Sequence, residues 1–453
     1  MTFETLGLRL AADLPDLTEV IAYLRRPGRP SAADVLAGAV RSGRPAVQPR
    51  CGVGSHDGMR SLLTEIERRA APEILSLTID SHTRLLRFVE AFRILAADPD
   101  RLNGYPLVAH GWRRGRELTE AVRVPVQVRH GSPDPRELFG TALAAGITSF
   151  EGGGVSYNVP YAKDVPLRTS LAAWQAVDRA CGLLAEEGVV VERELFGTLT
   201  AVLVPPSISI AISLLEALAA AHEGVRCVSL AYPQGGDPVQ DVAALRAIAD
   251  LTARYLPTGT AAYPVLHQFM GPFPRQAARA DALILLGGLV AVWGGAAKVI
   301  VKTNQEAFGI PDADANVRGL RTTQVAVSRY LGAFGVDEDR VAEEREWIRR
   351  EVSELVDPVL DRAGSSGGLT GAIEAAFREG RLDVPFSASI HAHSVVVPCR
   401  DPSGAVRYRE VGRLPLSPAT VRRNRRLCEG PVAPILFVDR IRQDIEYFSA
   451  PSR

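Results

Sequence analysis

Between about residues 45 and 335, short runs rich in β-branched residues alternate with longer stretches of helical apolar period, the pattern of βα units around a parallel sheet. Runs near 45–50, 74–80, 106–110, 124–129, 146–150, 189–195, 226–231, 262–267 and 298–302 read as strands. Helical period marks 59–70, 84–97, 135–145, 170–187 and 241–256 between them. A βα series this long closes into an eight-stranded barrel, so the expected fold class is α/β, a (β/α)8 TIM barrel, and one of the nine candidate strands is something else. Periodicity does not single it out. Residues 1–44 then form an N-terminal helical extension, 45–360 the barrel, and 361–453 a small C-terminal α+β appendage. A charged helix spans 341–364, a loop follows over 364–368, and polar–apolar alternation beyond it predicts a strand-rich ending.

A barrel needs a large apolar interior, and 46% hydrophobic residues in a 453-residue chain supply one. Lys+Arg and Asp+Glu are equal at 52, so no overall field draws the protein to nucleic acid or an anionic membrane. The most apolar windows, 282–297 and 199–215, are glycine-laced or interrupted by Pro205 and Pro206, which reads as core rather than a membrane span. The five cysteines lie far apart without CxxC spacing, suggesting neither a zinc site nor a disulfide framework. With acidic residues where a signal peptide needs a basic start, a cytoplasmic location is expected.

Charge specificity must be local, and it falls at the strand ends. Arg50, Arg84, the pair Arg129 and His130, Glu151, His267, and finally Lys302 with Glu306 each terminate or closely follow an apolar run. In a (β/α)8 barrel those ends converge on one mouth, so groups hundreds of residues apart would share a cavity. Three arginines suggest a substrate with more than one carboxylate, because a planar guanidinium grips a carboxylate through two parallel hydrogen bonds. Glu151 could receive an ammonium group, with Tyr157 and Tyr161 nearby as hydroxyl donors. The alternative is structural ion pairing, with Asp80 as partner for Arg84 and Asp134 for Arg129. Lys302 also fits a Schiff-base amine in a lyase or aldolase acting on a dicarboxylate.

Other motifs carry less. Glu151-Gly152-Gly153-Gly154 lacks the GxxxxGK and GxGxxG spacings of phosphate loops, so its glycines are read as allowing the backbone close to a ligand. His391 and His393 would share a strand face, but no third metal ligand lies near, and no metal site is expected. The run from Arg422 to Arg426 lacks interleaved aromatics and reads as a solvated helix face or a subunit contact.

Several segments together resemble the large (epsilon) subunit of glutamate mutase, also called methylaspartate mutase. They are QPRCGV (48–53), LTIDSHTR (77–84), LNGYP (102–106), QVRHGSPDPR (127–136), FEGGGVSYNVPYAK (150–163), ERELFGTLTAVLVPPS (192–207), LHQFMG (266–271) and KVIVKTNQEAFGIP (298–311). DVPFSAS (383–389) is a weaker echo.

The resemblance implies a barrel whose mouth meets adenosylcobalamin, held from the other side by a small cobalamin-binding subunit. A 5′-deoxyadenosyl radical would take hydrogen from L-glutamate, and a glycyl fragment would migrate to give (2S,3S)-3-methylaspartate. By motif, Arg50, Arg84, Arg129 and His130 match the carboxylate clamp, and Glu151, Tyr157 and Tyr161 the amino-group contacts, with Glu151 catalytic. Gly52, Asn103, Pro160, Phe196 and Phe273 would line the cobalamin face, and Lys302, Glu306 and Ile310 would meet its adenosyl or corrin periphery.

The chain departs from the family pattern at His82, where tyrosine is usual, at Ala201, where glycine is usual, and in YPQGGD (232–237). It also lacks the DxHxxG motif with which the small subunit ligates cobalt. The isolated chain is therefore expected to bind the cofactor poorly and to be inactive. A homodimer of this chain within a heterotetramer is expected by the same analogy. Other readings keep the chemistry on a related amino diacid, or make the chain a non-catalytic binding paralogue.

Overall fold

The computed structural model describes residues 2–8, 14–198, 202–366, 368–429 and 437–450. Ala201 lies outside them.

Eight parallel strands form one sheet: β1 (Ala46–Gln48), β2 (Leu75–Thr78), β3 (Val126–Arg129), β4 (Ser149–Glu151), β5 (Glu192–Leu195), β6 (Cys227–Pro233), β7 (Ala261–His267) and β8 (Lys298–Ile300). Their order, β1-β8-β7-β6-β5-β4-β3-β2, brings first and last strands together, with Ala46 opposite Lys298. Between β1 and β2 the ring is bridged just past β1, where Thr78 N donates to Cys51 O at 2.7 Å. Helices cover the outside, and a two-stranded antiparallel hairpin, β9 (Val397–Arg400) with β10 (Val406–Glu410), lies beyond them. The chain is a (β/α)8 barrel with a small additional sheet.

The surplus strand is the one near 106–110. Tyr105 makes a single parallel bridge to Ile79, and the helix Leu107–Glu120 begins two residues later. Its opening Leu-Val looks strand-like, but the length and period of the next dozen residues decide for helix. The stretch 84–97 breaks in two, Ser81–Arg84 and Phe88–Ala97, with Leu86 between them at φ 60°.

The expected loop over 364–368 is corrected through Ser366, because the helix Glu338–Ser366 continues that far; Gly367 is outside the described residues. The ending is richer in helix than expected, with Leu369–Glu379, Pro418–Cys428 and Phe437–Ile445 beside the one hairpin. His391 and His393 lie before β9, not in a strand, and His393 Nε2 contacts Arg378 O at 3.0 Å. Of the basic run, Arg423 is buried on Glu344 at 2.6 Å, while Arg422, Arg425 and Arg426 are exposed. Cys399 and Cys428 form a disulfide, contrary to the reading from spacing, because β9 and the end of helix Pro418–Cys428 meet in space.

The helix Ala277–Gly294 is long and apolar enough to cross a membrane by composition alone. Here it packs on the barrel against β7 and the neighbouring helices, as the core reading of that window expected.

Inside the barrel the strands do not present a purely apolar filling. Gln48, Gln127, Glu192, Glu194, Ser229 and Lys298 are all fully buried. Lys298 Nζ lies 2.7 Å from Glu194 and 3.3 Å from Glu192, and Gln127 Nε2 donates to both acids at 3.1 Å. Gln48 donates to Gln127 at 2.7 Å, and Ser229, at 2.6 Å, and Ser149 both donate to Glu192, so β1, β3, β4, β5, β6 and β8 share one hydrogen-bonded ladder. Burial forces this, since an unpaired polar group there costs about 1–3 kcal/mol and an unpaired charge more.

Candidate active site

Above the ladder, at the C-terminal ends of the strands, a cavity of about 300 Å³ is lined by Arg50, Arg84, Arg129, His130, Glu151, Tyr157 and Tyr161, with Thr78, Ser81 and Phe196 among its other walls. The structure thus brings all seven expected substrate contacts to one place. Larger cavities occur elsewhere, but they do not gather these groups.

Arg129 ends β3 and is anchored downward. Its Nη1 binds Glu194 at 3.0 Å and Gln127 at 2.8 Å, and its Nη2 pairs with Glu151. Asp134 is not its partner, because that carboxylate takes Arg136 at 2.7 Å. Nor does Asp80 pair with Arg84. Its Oδ1 instead accepts from His82 N and Thr83 N at 2.9 and 3.0 Å, capping the short helix that carries Arg84 to the cavity. Among the described residues neither Arg50 nor Arg84 has an acidic partner within ion-pair distance. Two guanidinium groups therefore face the cavity without a contact ion pair among the described residues, Arg50 acting on Glu151 and Glu306 only at longer range, and the Nε of Arg84 is buried there without a hydrogen bond.

His130 stacks on Trp174, ring centroids 5.5 Å apart and nearly parallel at 10°. Its Nδ1 accepts from Ser132 N at 3.2 Å, which places the proton of a neutral ring on Nε2. That buried Nε2 has no partner among the described residues and is an available donor on the cavity wall. Burial, aided by Arg193, Arg84 and Arg129, pushes the imidazole well below its ordinary pKa, so the neutral form holds at pH 7.

Burial raises the Glu151 carboxyl, and Glu194 adds to this against the pull of Arg129. Tyr157 hydrogen-bonds it from the turn beyond β4. Below, burial pushes Glu194 up, but Lys298 and Arg129 overcome it and hold it well below the usual carboxylate range. Two acids a short distance apart thus have opposite tendencies: Glu194 is drawn toward its ionised form, while burial pushes Glu151 toward its neutral one. Glu151, Glu194 and His267 offer ligand atoms close enough for a metal, but Arg129 and Lys298 already bring positive charge to both carboxylates.

The glycines after Glu151 serve packing within the protein, which corrects the reading that they open the backbone to a ligand. A Cβ on Gly152, at φ 130°, would meet Trp174 at 2.5 Å and Tyr157 at 2.6 Å; on Gly153 it would strike the Glu216 carboxylate; on Gly154 it would crowd Leu171 at 2.9 Å.

Of the residues expected to face a cofactor, all but Asn103, which lies beyond the helices that follow β2, come soon after strand C-termini, but not all are open. Phe196 lines the cavity, Lys302 Nζ binds Glu306 at 2.6 Å, and Ile310 is 55% exposed. Burial lowers Lys302 to about 8 despite that acid. Asn103 accepts from Ser81 N at 2.9 Å, and Pro160 precedes Tyr161 at the cavity wall. Gly52 packs against Thr78 and Gly104, and Phe273 is buried with Phe269 and Ile284. His82 is not among the cavity-lining residues.

The reading of strand ends did not reach Gln127, Glu192, Glu194, Lys298 or Glu216. A signal was present: charged residues two apart in EREL, and one acid within the apolar helix Pro206–His222. Buried charge in such places must have a partner.

Comparison with known proteins places the chain in a family. Residues 27–429 match the family model described as methylaspartate mutase E chain. The glutamate mutase epsilon subunit of Halobacterium salinarum is 45% identical over 83% of this chain and 80% of its own length. The subunits of the same name from Desulfitobacterium hafniense (41%, covering 89% and 84%) and Escherichia coli O157:H7 (39%, covering 84% and 80%) are also similar. With an eight-stranded barrel, a cavity built on its strand ends, and agreement over nearly the whole length, the chain belongs to the methylaspartate mutase E-chain family.

Proposed function

We propose that this chain is the catalytic, substrate-binding subunit of an adenosylcobalamin-dependent glutamate mutase, interconverting L-glutamate and (2S,3S)-3-methylaspartate by radical rearrangement of the carbon skeleton. Family membership makes it a mutase, an isomerase that moves a group within one molecule, of a cobalamin-dependent kind that works with a partner subunit. The observation that carries the substrate is the pair Arg50 and Arg84, unpaired by any acid among the described residues, beside Glu151 in a cavity sized for a small amino diacid.

On this reading the substrate carboxylates are held by Arg50, Arg84 and Arg129, with the Nε2–H of His130 as a further donor. Glu151 accepts a hydrogen bond from the substrate ammonium and, with its raised pKa, can take that proton. Tyr157 and Tyr161 close the wall and limit water. When bound, adenosylcobalamin supplies the radical chemistry. The mouth would offer an apolar surface to the flat face of the corrin ring: Leu85, Leu86, Tyr161, Phe308 and Ile310, on loops after β2, β4 and β8, are 41–67% exposed. Gly52, Asn103, Pro160, Phe196, Phe273, Lys302, Glu306 and Ile310 would hold it there. A small cobalamin-binding subunit bearing DxHxxG would supply the lower cobalt ligand. A homodimer of this chain within a heterotetramer, in the cytoplasm, completes the proposal.

The test combines the chain, a cognate small subunit, adenosylcobalamin and L-glutamate, and follows 3-methylaspartate by NMR. Failure with several cognate small subunits would sink the assignment. In the active mixture, Arg84→Met removes a charged hydrogen-bonding partner worth about 1.5–3 kcal/mol. kcat/KM should fall roughly 10- to 150-fold, mostly through KM, and Arg84→Lys should recover only part because it loses the fork geometry.

A second reading draws on the lowered pKa of Lys302, which suits a Schiff-base amine on a carbonyl substrate. The ion pair with Glu306 argues against it. Borohydride treatment in the presence of oxaloacetate should leave Lys302 unmodified by peptide mass; reductive trapping there would favour the lyase.

A further inference from the structure

Behind the turn that follows β4 lies a second cavity, about 440 Å³, lined by Gly153 and Gly154 but by none of the substrate-cavity residues. Its walls come from β5 and the helices Leu167–Glu186, Pro206–His222 and Leu369–Glu379. Glu216 reaches into it, 5% exposed. Its Oε1 accepts from Val155 N at 2.7 Å and Ser156 N at 3.0 Å, while its Oε2 has no partner among the described residues. Those two amides immediately precede Tyr157. On the other side, Arg193 of β5 donates to Phe150 O and Gly152 O, both at 2.8 Å, and so grips the backbone on either side of Glu151.

We propose that Glu216 is a positioning residue for the mutase reaction: through the amides of Val155 and Ser156 it sets where Tyr157 and Glu151 meet the substrate. This deepens the glutamate mutase reading and rests on it. Nothing else holds those two amides among the described residues, and Gly153 is pressed so closely on the carboxylate that a side chain there would displace it.

Charged groups around Glu216 leave it largely alone. Arg193 is committed to Asp178 at 2.7 Å, and Glu223 to Arg179 at 3.0 Å and Gln175 at 2.6 Å. His222 ends its own helix, and the helix Leu369–Glu379 presents only Leu369, Thr370 and Ile373. Burial pushes the carboxyl up to about 7, against the Ser156 and Val155 amides and Arg193. An ionised carboxylate accepts both amides more strongly than a neutral acid, so the turn is held tighter as pH rises through 7. Stability moves the other way. Because the folded chain keeps a proton that the unfolded chain releases, the group lowers stability as pH rises from its ordinary range through about 7, and has no effect below that range.

The experiment uses the holoenzyme of this chain, its small subunit and adenosylcobalamin, with kcat and KM for glutamate measured from acid to alkaline pH. Wild type is compared with Glu216→Gln and Glu216→Ala. Glutamine can accept both amides at any pH, so kcat should stay within about threefold while the kinetic limb near neutral pH and the matching decline in Tm are lost. Alanine should raise KM at least tenfold at alkaline pH. An unchanged limb in Glu216→Gln, or a folded Glu216→Ala with wild-type KM, overturns the proposal. If Glu216→Ala does not fold, the Glu216→Gln profile decides alone. If wild type makes no 3-methylaspartate, the mutase reading itself has failed, a result distinct from active variants indistinguishable from wild type.

Discussion

Glu151→Gln is expected to lower kcat by about 10²- to 10⁴-fold, the range for removing a positioned general base. The amide is isosteric and its oxygen can still accept from Arg129 and Tyr157, so KM should change far less than kcat. Folding should not suffer either. Burial raises the native pKa of Glu151 above that of an unfolded glutamate, so ionising it at neutral pH costs stability that glutamine does not incur. The Tm of Glu151→Gln should therefore equal or exceed wild type at neutral pH and converge with it under acid conditions where both side chains are neutral. A folded variant with kcat within threefold of wild type would remove Glu151 from the chemistry.

The second large effect is dependence on the partner. The sequence carries no DxHxxG, so on the proposed reading the cobalt ligand would be the partner's, and Leu85, Leu86, Phe308 and Ile310 form an exposed apolar rim that the partner would cover. The isolated chain with adenosylcobalamin and glutamate should give only the background rate. Titrating in a cognate small subunit should raise product formation to a plateau that reports the stoichiometry. Turnover by the chain alone, at a rate unchanged by the small subunit, would show that the cofactor is held in some other way.

The site was readable because barrel topology turns strand ends into neighbours: Arg50, Arg84, Arg129 and Glu151 could be placed together from sequence alone. What each was bonded to was not readable. Arg129 looked available for Asp134, which instead takes Arg136, and it is anchored by Glu194 from two strands away. Pairing between strands depends on register, which the β-branched pattern does not encode. The surplus strand at 106–110 and the strand-rich ending share one cause, since short apolar runs fit either period until tertiary packing chooses. Cys399 and Cys428 were missed for the same reason, being separated by 29 positions in sequence and joined only by the fold.

The ladder inside the barrel has a consequence for how the chain can be assembled. Gln127 and Arg129 on β3 are satisfied by Glu192 and Glu194 on β5, which are in turn neutralised by Lys298 on β8. A fragment ending after β4 would retain the guanidinium and lose most of its compensation, and a fragment beginning at β5 would hold two acids near one lysine with the amide bridge gone. Neither half-barrel is electrically self-sufficient. The ring should close as one cooperative event, and co-expressed halves should gain structure only on meeting each other.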